Sequence, residues 1–215
     1  GVAYGGTLNK GQAYMVMSQD EYYELSGSQI KADKPIAVFA GHLCATVPNG
    51  VDWCDHIVEQ QVPTNMWGKN FALTKTSGLA GDHVRVTALK NGTDIHINGS
   101  KVATIDALDT YTYRLTQNSS YLEASNPVAC YSYIEGGDNY GNNEMSDPSS
   151  VLISPIEQRL QKVTFATFQT DLSRTHYVNV VTTPLGAKYI KLDDVSITNL
   201  FSPLAGNNNL CYAQI

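Results

Sequence analysis

The feature that most constrains the fold of this chain is an internal repeat. The segment Ser28–Val38 aligns with Ser120–Cys130, and this places Pro35 and Pro127 92 positions apart. Three further matches follow in the same order: Val58-Glu59-Gln60 with Ile156-Glu157-Gln158 at an offset of 98, Asn70–Thr74 with Thr164–Phe168 at 94, and His83–Val86 with His176–Val180 at 93. Blocks that recur in order at a nearly constant offset predict a tandem repeat with a unit of about 93 residues.

The matched blocks divide the chain into three parts. We predict one repeat unit over residues 1–82, a second over residues 83–175, and a partial copy over residues 176–215. Two interpretations of this tail stay open. It is either the start of a third unit or a set of strands that completes unit 1, which lacks the opening strands found at 84–97. Closure of the second kind would remove exposed sheet edges, which are otherwise templates for unwanted pairing.

The hydrophobic periodicity within a unit is that of β-strands. Apolar or aromatic residues alternate with polar ones along short segments that begin at Val84, Ile95 and Tyr111. Two Asn-Gly dipeptides, at 91–92 and 98–99, predict hairpin turns because both residue types tolerate positive φ angles. The sequence therefore predicts an all-β, sandwich-like fold with little helix. A β-propeller is the alternative, since the strands of one unit could also form two four-stranded blades.

Charge and composition argue against two classes of function. The chain has 20 acidic and 14 basic residues and a formal net charge of −6, which disfavours binding to nucleic acid. The longest apolar run, Ile36–Ala40, is far shorter than the roughly 18 residues that a membrane helix requires, so we expect no membrane span in this fragment. Only 16% of the residues are charged, while Tyr is abundant. This composition suits strands with uncharged polar outer faces.

The cysteines indicate the compartment. Cys44 and Cys54 flank a segment with Pro48–Gly50, a turn that could bring the two sulfurs together. A disulfide there would stabilise the fold by about 3 kcal/mol in the chain-entropy model and would persist in an oxidising compartment. We therefore expect a secreted or cell-surface protein, with two separate thiols as the alternative. Cys130 lies on a predicted buried strand and is expected to be a free core thiol, although pairing with Cys211 stays open.

Two segments carry a resemblance to a known family. Ala32–His42 and Cys54–Gln60, the second of which reads Cys-Asp-His-Ile-Val-Glu-Gln, resemble the N-terminal domain family of the IgGFc-binding protein. Further similar segments extend the resemblance over nearly the whole chain: Trp67–Phe71, Asn126–Val128, Asp147–Ser149 and Pro155–Gln158, with Ser146 in place of the glycine expected before Asp147. The family occurs in secreted, mucus-associated animal proteins and in bacterial surface proteins. The resemblance implies adhesion or matrix binding, without catalysis and without a cofactor.

The residues around the two cysteines also resemble a metal site, which we do not predict. His42, Cys44, Cys54, Asp55 and His56 are all possible zinc ligands. Oxidised cysteines cannot bind zinc, and Asp55 and His56 would point to opposite faces if they lie on a strand. We expect Asp55 and His56 to brace the loop through hydrogen bonds between side chain and backbone.

A pair of carboxylates supplies the alternative function. Glu59 and Glu157 occupy matching positions of the aligned blocks and could act as the acid pair of a glycoside hydrolase. The repeat explains them more simply, because each copy would need the same internal hydrogen bonds from Glu59-Gln60 and from Glu157-Gln158. The sequence therefore predicts a binding protein without catalytic residues, and a carbohydrate-active enzyme is the alternative.

We expect the ligand, a glycan, a mucin or a matrix protein, to bind at the long loop that follows each proline-bearing strand. In unit 1 this loop is 41–55 with Trp53, and in unit 2 it is 136–150 with Asp138 and Tyr140. Aromatic side chains there could stack on sugars or anchor a protein. The aligned Pro and Glu are 24 positions apart in unit 1 and 30 in unit 2, so the second loop is predicted to be six residues longer. A second interpretation places Trp53 in the core beneath the disulfide.

Overall fold

A computed structural model of the chain describes residues 5–20, 23–51, 53–136, 146–166 and 176–215. These residues form fourteen strands: β1 (Phe39–Ala45), β2 (Asp55–Gln60), β3 (Gly68–Thr74), β4 (Asp82–Ala88), β5 (Thr93–Ile97), β6 (Ser100–Ile105), β7 (Thr110–Leu115), β8 (Ser119–Ile134), β9 (Ser149–Leu152), β10 (Asn179–Thr182), β11 (Lys191–Leu192), β12 (Val195–Ser196), β13 (Ser202–Leu204) and β14 (Asn207–Gln214). The helical elements among them are α1 (Pro184–Ala187) and 3₁₀ turns at Thr64–Met66, Ile156–Gln158 and Thr198–Leu200. The prediction of an all-β chain with little helix is confirmed.

The long strand β8 organises the main sheet. Its N-terminal half pairs with β3 and β5, and its C-terminal half pairs with β4 and β9. Strand β6 pairs with β5, and β7 pairs with β4. As a result β8 belongs to two antiparallel ladders, β3-β8-β5-β6 and β9-β8-β4-β7. The two halves of β8 meet at Asn126 and Pro127, where the proline has no N–H to donate to a ladder.

The two ladders enclose one hydrophobic core. Its main side chains come from alternate positions of four strands, and each is at most 7% exposed: Phe71 and Leu73 of β3, Val84, Val86 and Ala88 of β4, Ile95 and Ile97 of β5, and Leu122, Val128 and Cys130 of β8. Burial of each large apolar side chain contributes about 1.5–3 kcal/mol. The arrangement is sandwich-like, as predicted, and the strand shared between both ladders distinguishes it from the separate radial blades of a propeller.

The two Asn-Gly dipeptides have different roles. Asn98 (φ 50°) and Gly99 (φ 80°) form the two-residue turn between β5 and β6, as predicted. Gly92 (φ 64°) lies between β4 and β5, which are separated in the sheet by β8. The predicted hairpin is therefore wrong there, and the segment is a crossover from one ladder to the other. The Asn91 side chain stabilises this crossover by accepting a hydrogen bond from Ala107 N at 3.0 Å.

Three smaller sheets lie outside the two ladders. They are the hairpin of β1 and β2, the hairpin of β11 and β12, and the sheet β10-β14-β13. The tail contacts the central strands, since Ala205 N donates to Ser119 Oγ at 3.1 Å and Gln214 Nε2 donates to Lys75 O at 2.9 Å. The position of this tail within a repeat stays a prediction. In the described ranges, no helix is long and apolar enough to cross a membrane.

One local structure recurs at an offset of 92 residues. The 3₁₀ turns at Thr64–Met66 and Ile156–Gln158 each follow a proline, and Pro63 (φ −66°, ψ 153°) and Pro155 (φ −66°, ψ 152°) have nearly the same conformation. A pair of antiparallel strands precedes each turn. The pair is β1 and β2 before the first turn, and the end of β8 and β9 before the second. The offset equals that between Pro35 and Pro127.

The tandem repeat over the whole chain is not established by this recurrence. Residues 28–38 lie in no strand, whereas the aligned residues 120–130 lie within β8. The repeat and its unit boundaries therefore stay predictions.

The recurrence corrects two interpretations drawn from the sequence. Glu59-Gln60 lies in β2, whereas Glu157-Gln158 lies in a 3₁₀ turn, so these dipeptides do not occupy equivalent positions. The strand pairs that flank the two loops also have the same spacing, since His42 pairs with Ile57 and Ile134 pairs with Ser149, 15 positions apart in each case. The predicted gain of six residues is therefore wrong. The identical Glu-Gln dipeptides match in sequence, but Pro63 and Pro155, which precede the two 3₁₀ turns, are the structural equivalents.

Candidate binding surface

The hairpin of β1 and β2 carries the first of the two predicted binding loops. Its strands pair from Phe39 opposite Gln60 to Ala45 opposite Asp55. The predicted disulfide between Cys44 and Cys54 is confirmed and closes the loop at its base. Since the two sulfurs are bonded to each other, neither can bind zinc. No group of three or more His, Cys, Asp or Glu side chains in the described part of the chain could hold a metal ion.

Trp53 projects into solvent from this loop. Its side chain is 69% exposed, so the interpretation that it fills the core beneath the disulfide is wrong. Its backbone has φ 71°, in the left-handed region that bulky residues rarely adopt. A residue held in such a conformation costs of order 1–3 kcal/mol, and such residues cluster at functional sites. Exposure and backbone strain together make Trp53 the leading candidate for ligand contact.

The hairpin also carries further exposed apolar side chains. Alternate residues of a strand share a face, so Phe39 lies on the same side of β1 as Gly41, whose partner on β2 is Val58. Leu43 follows in the irregular stretch of the pairing between His42 and Ala45. Phe39 is 65%, Leu43 79% and Val58 52% exposed, whereas Ile57, on the other face, is 6% exposed. We call Phe39, Leu43, Trp53 and Val58 the hairpin surface. Exposed apolar side chains grouped on one element are a mark of interaction sites.

The bases of the two predicted binding loops are in contact. Gly136 N, at the start of the second loop, donates a hydrogen bond to Val47 O in the first at 2.8 Å. A Cβ at Gly136 would lie 2.4 Å from Cδ of Pro148, so the close approach requires glycine. Ser146 Oγ donates to Glu135 O at 2.7 Å and closes the second loop. An offset of 92 places Gly136 and Ser146 at the positions of the two bonded cysteines.

A buried carboxylate lies beneath the second loop. Glu135 is fully buried, and its two oxygens lie 2.7 Å from Nε and 3.1 Å from Nη2 of Arg114. Nε2 of His83 lies 2.9 Å from Oε1 of Glu135. His83 and Arg114 are opposite each other on β4 and β7. A bidentate guanidinium is a strong partner for a carboxylate, so Glu135 anchors the loop to the sheet. Sequence reasoning missed this cluster because its three members are distant along the chain.

Two of the predicted bracing residues make a local contact, and two of the predicted ligand residues cannot be placed. Oδ1 of Asp55 accepts a hydrogen bond from His56 N at 2.6 Å, and both side chains are exposed at the start of β2. Asp138 and Tyr140 lie outside the described residues. Their part in ligand binding stays a prediction.

Glu157 holds the second 3₁₀ turn against β3. Its Oε1 accepts hydrogen bonds from Lys69 N at 3.2 Å and from Asn70 Nδ2 at 2.7 Å. Its neighbour Gln158 donates to the carbonyl oxygen of Met66 in the first 3₁₀ turn. These contacts join the two recurring turns to each other and engage Oε1 of Glu157.

Glu59 lies in a different setting from Glu157. It is half-buried on β2. Burial of the phenol raises the pKa of Tyr131 to about 12, and the nearby Tyr133 and the charge of Glu59 add to this effect. The Tyr131 hydroxyl donates to Oε1 of Gln61 at 2.7 Å. The contacts of Glu59 and Glu157 thus belong to different parts of the fold.

Cys130 and Cys211 are free and buried. The prediction of a free core thiol at Cys130 is confirmed, and the open possibility that Cys130 and Cys211 pair is wrong. Burial raises the pKa of both thiols, which lowers their reactivity.

Comparison with known proteins gives one family. The family model described as IgGFc binding protein matches residues 1–215. Among curated proteins, the human IgGFc-binding protein is 39% identical over 62 residues, which cover 29% of this chain and 1% of that protein. The chain thus matches only a very small part of that relative. No solved structure matches the chain significantly.

Proposed function

Because the chain belongs to the IgGFc-binding protein family, we propose that it is a non-catalytic extracellular binding module whose ligand is a glycan, a mucin or a matrix protein. The observation that carries the proposal is Trp53, 69% exposed on a disulfide-closed loop. An indole has a large apolar face and one N–H donor, so it can stack on a sugar ring or anchor a protein partner.

Several features of the hairpin surface support this proposal. Phe39, Leu43 and Val58 add exposed apolar side chains on the same hairpin as Trp53, and the disulfide restrains the loop before binding. Restraint in the free state lowers the entropy lost when a ligand binds. The disulfide also fits a secreted or cell-surface location, because such bonds persist in oxidising compartments. The net charge of −6 disfavours nucleic acid as a partner.

The geometry does not favour the alternative of a glycoside hydrolase. Glu157 accepts two hydrogen bonds from β3. Glu59 lies in β2, whereas Glu157 lies in a 3₁₀ turn, so the two carboxylates do not occupy equivalent positions. A catalytic acid pair needs two carboxylates that face one cleft about 5–9.5 Å apart. The proposal therefore assigns no catalytic residue.

The proposal can be tested with a glycan and matrix-protein array probed with the intact chain. For the ligand that binds, Trp53→Ala should weaken affinity by tenfold or more, because a central aromatic anchor contributes more than about 1.4 kcal/mol. Alanine keeps a side chain at the same positive φ, so the backbone strain is little changed. The control is Tyr189→Ala, which removes a 77% exposed aromatic far along the chain and should leave affinity unchanged. Equal affinity of Trp53→Ala and the parent chain would refute the proposed site, and cleavage of a bound glycan would refute the non-catalytic function.

A further inference from the structure

Strand β3 and the first half of β8 form a pair whose sequence pattern occurs a second time in the chain. β3 follows the first 3₁₀ turn and lies antiparallel to β8, with Phe71 opposite Leu122 and Leu73 opposite Ser120. Phe71 and Leu73 are each 1% exposed, and Leu122 is fully buried. This pair shows how a strand after the proline-bearing turn completes the core of the ladder beside it.

Residues 160–166 match β3 but are unpaired. They follow the second 3₁₀ turn at the spacing of β3 from the first, so that Val163 and Phe165 stand where Phe71 and Leu73 stand. Val163 is 63% and Phe165 50% exposed, and the segment lies in no strand. Its apolar residues have the strand pattern but no partner strand among the described residues.

Residues 28–36 match the first half of β8 and are also unpaired. At the offset of 92, Ile30 stands where Leu122 stands and Ile36 where Val128 stands. Ile30 is 62% and Ile36 53% exposed, whereas Leu122 and Val128 are fully buried. This segment thus has apolar residues at the positions that lie opposite β3 elsewhere in the molecule.

We propose that these two segments pair between copies of the chain. Residues 160–166 of one copy form an antiparallel strand on residues 28–36 of a second copy, in the register of β3 on β8. That register places Val163 opposite Ile30 and Leu160 opposite Ile36. Main-chain hydrogen bonds and contact between these side chains stabilise the pair, as main-chain hydrogen bonds do when a peptide binds as a β-strand. Because the two surfaces differ, the contact is heterologous and generates head-to-tail assemblies.

The same register predicts a charge effect. Lys162 would lie opposite Lys31, whereas β3 and β8 have Asn70 opposite Glu123. Like charges directly opposite each other destabilise a strand pair, so the association is weak at low salt and strengthens as ions screen the repulsion. The change Lys31→Glu restores the residue type found at Glu123 and creates an opposite-charge pair. It should therefore tighten the association.

Sedimentation velocity of the full chain over a range of concentrations tests the proposal. We expect concentration-dependent association, a severalfold tighter dissociation constant for Lys31→Glu, and loss of association for Val163→Lys. Val195→Lys is the matched control, because Val195 is a 67% exposed valine on β12, and it should associate like the parent. A chain that stays monomeric at every concentration, in both the parent and Lys31→Glu forms, would overturn the proposal. So would equal loss of association in the two valine variants.

Disulfide trapping tests the register. A mixture of chains with Ile30→Cys and chains with Val163→Cys should form a crosslinked heterodimer under mild oxidation. Thr164→Cys replaces Val163→Cys in the control, since its side chain would point to the other face of the strand, and it should crosslink poorly. A chain with both Ile30→Cys and Val163→Cys should likewise give intermolecular products. If this chain forms the disulfide within one monomer at high dilution and yields no intermolecular crosslinks, the segments pair inside a single chain and the proposed assembly is wrong. The pairing uses no residue of the hairpin surface, so its failure would leave the proposed function untouched.

Discussion

Glu135 is the charged side chain whose loss we expect to destabilise the fold most. The change Glu135→Gln removes the charge that pairs with Arg114 and His83. Breaking a buried ion pair costs about 3–5 kcal/mol, and the Arg114 side chain is 42% exposed, so water offsets part of the loss and the lower end applies. Urea unfolding measures the effect. Glu123→Gln, on an exposed position of β8, is the control and should change the free energy of unfolding by less than about 0.5 kcal/mol. Equal unfolding midpoints for the two variants would contradict the anchoring role of Glu135.

Asp82 should make stability depend on pH in the opposite direction to most carboxylates. Burial raises its pKa, although Thr76 N donates to its Oδ2 at 2.7 Å. A carboxyl whose folded pKa exceeds its unfolded pKa contributes stability below the unfolded value and loses that contribution as pH rises through the folded value. Asp82→Asn should therefore gain stability relative to the parent chain between about pH 4 and pH 7. The free energy of unfolding of both proteins across this range checks it. A difference that does not vary with pH would contradict the assignment.

The hairpin of β1 and β2 is the element whose stability depends most on one covalent bond. Two-stranded hairpins are marginally stable alone, and this one lies outside the two ladders of β8. Replacing Cys44 and Cys54 by serine removes a crosslink worth at most about 3 kcal/mol in the chain-entropy model. We expect faster amide hydrogen exchange in β1 and β2, with little change in β4 and β8. Exchange that rises equally in all four strands would mean that the hairpin and the ladders unfold as one unit.

Local elements were the ones that sequence patterns predicted well. The turn at Asn98-Gly99, the alternation along β4 and the Cys44–Cys54 bond each depend on residues close together in the chain. Asn91-Gly92 has the same chemistry as Asn98-Gly99, yet β8 lies between the strands that it connects. Strand order is a long-range property, and the dipeptide carries no information on it.

The features of the candidate site also divide into those that depend on residues close in sequence and those that depend on distant residues. Sequence reasoning selected the loop that bears Trp53 and its disulfide but left open whether the indole is buried, because exposure depends on what the rest of the chain covers. The exposure of Phe39 and Leu43 was missed, since a half-buried strand and an open one have the same alternation of residue types. The contact between Val47 and Gly136 could not be found from spacing alone, because no pattern links residues so far apart.

At the scale of the whole molecule, the sequence repeat and the folding unit need not have the same boundaries. The proposed boundary between residues 82 and 83 falls within β4 and separates β3 from its partner β8. β3 contributes Phe71 and Leu73 to the core formed mainly by later strands. We therefore infer that the folding unit begins before β3, near the first 3₁₀ turn, whatever the boundaries of the repeat.

Two truncated chains test this inference. A chain of residues 62–215 retains the first 3₁₀ turn and β3, whereas a chain of residues 76–215 lacks both. Loss of a single large core side chain costs about 2–5 kcal/mol, and the shorter chain loses Phe71 and Leu73 together with one edge of a ladder. That loss is comparable to the total stability of about 5–15 kcal/mol typical of a domain. We expect cooperative thermal unfolding for 62–215 and none for 76–215, measured by near-UV circular dichroism. A synthetic peptide of residues 62–75 should restore the folded spectrum of 76–215 in trans, and the same peptide with Phe71→Lys should not. Cooperative unfolding of 76–215 alone, at the temperature seen for 62–215, would show that β3 is dispensable and that the unit begins at β4.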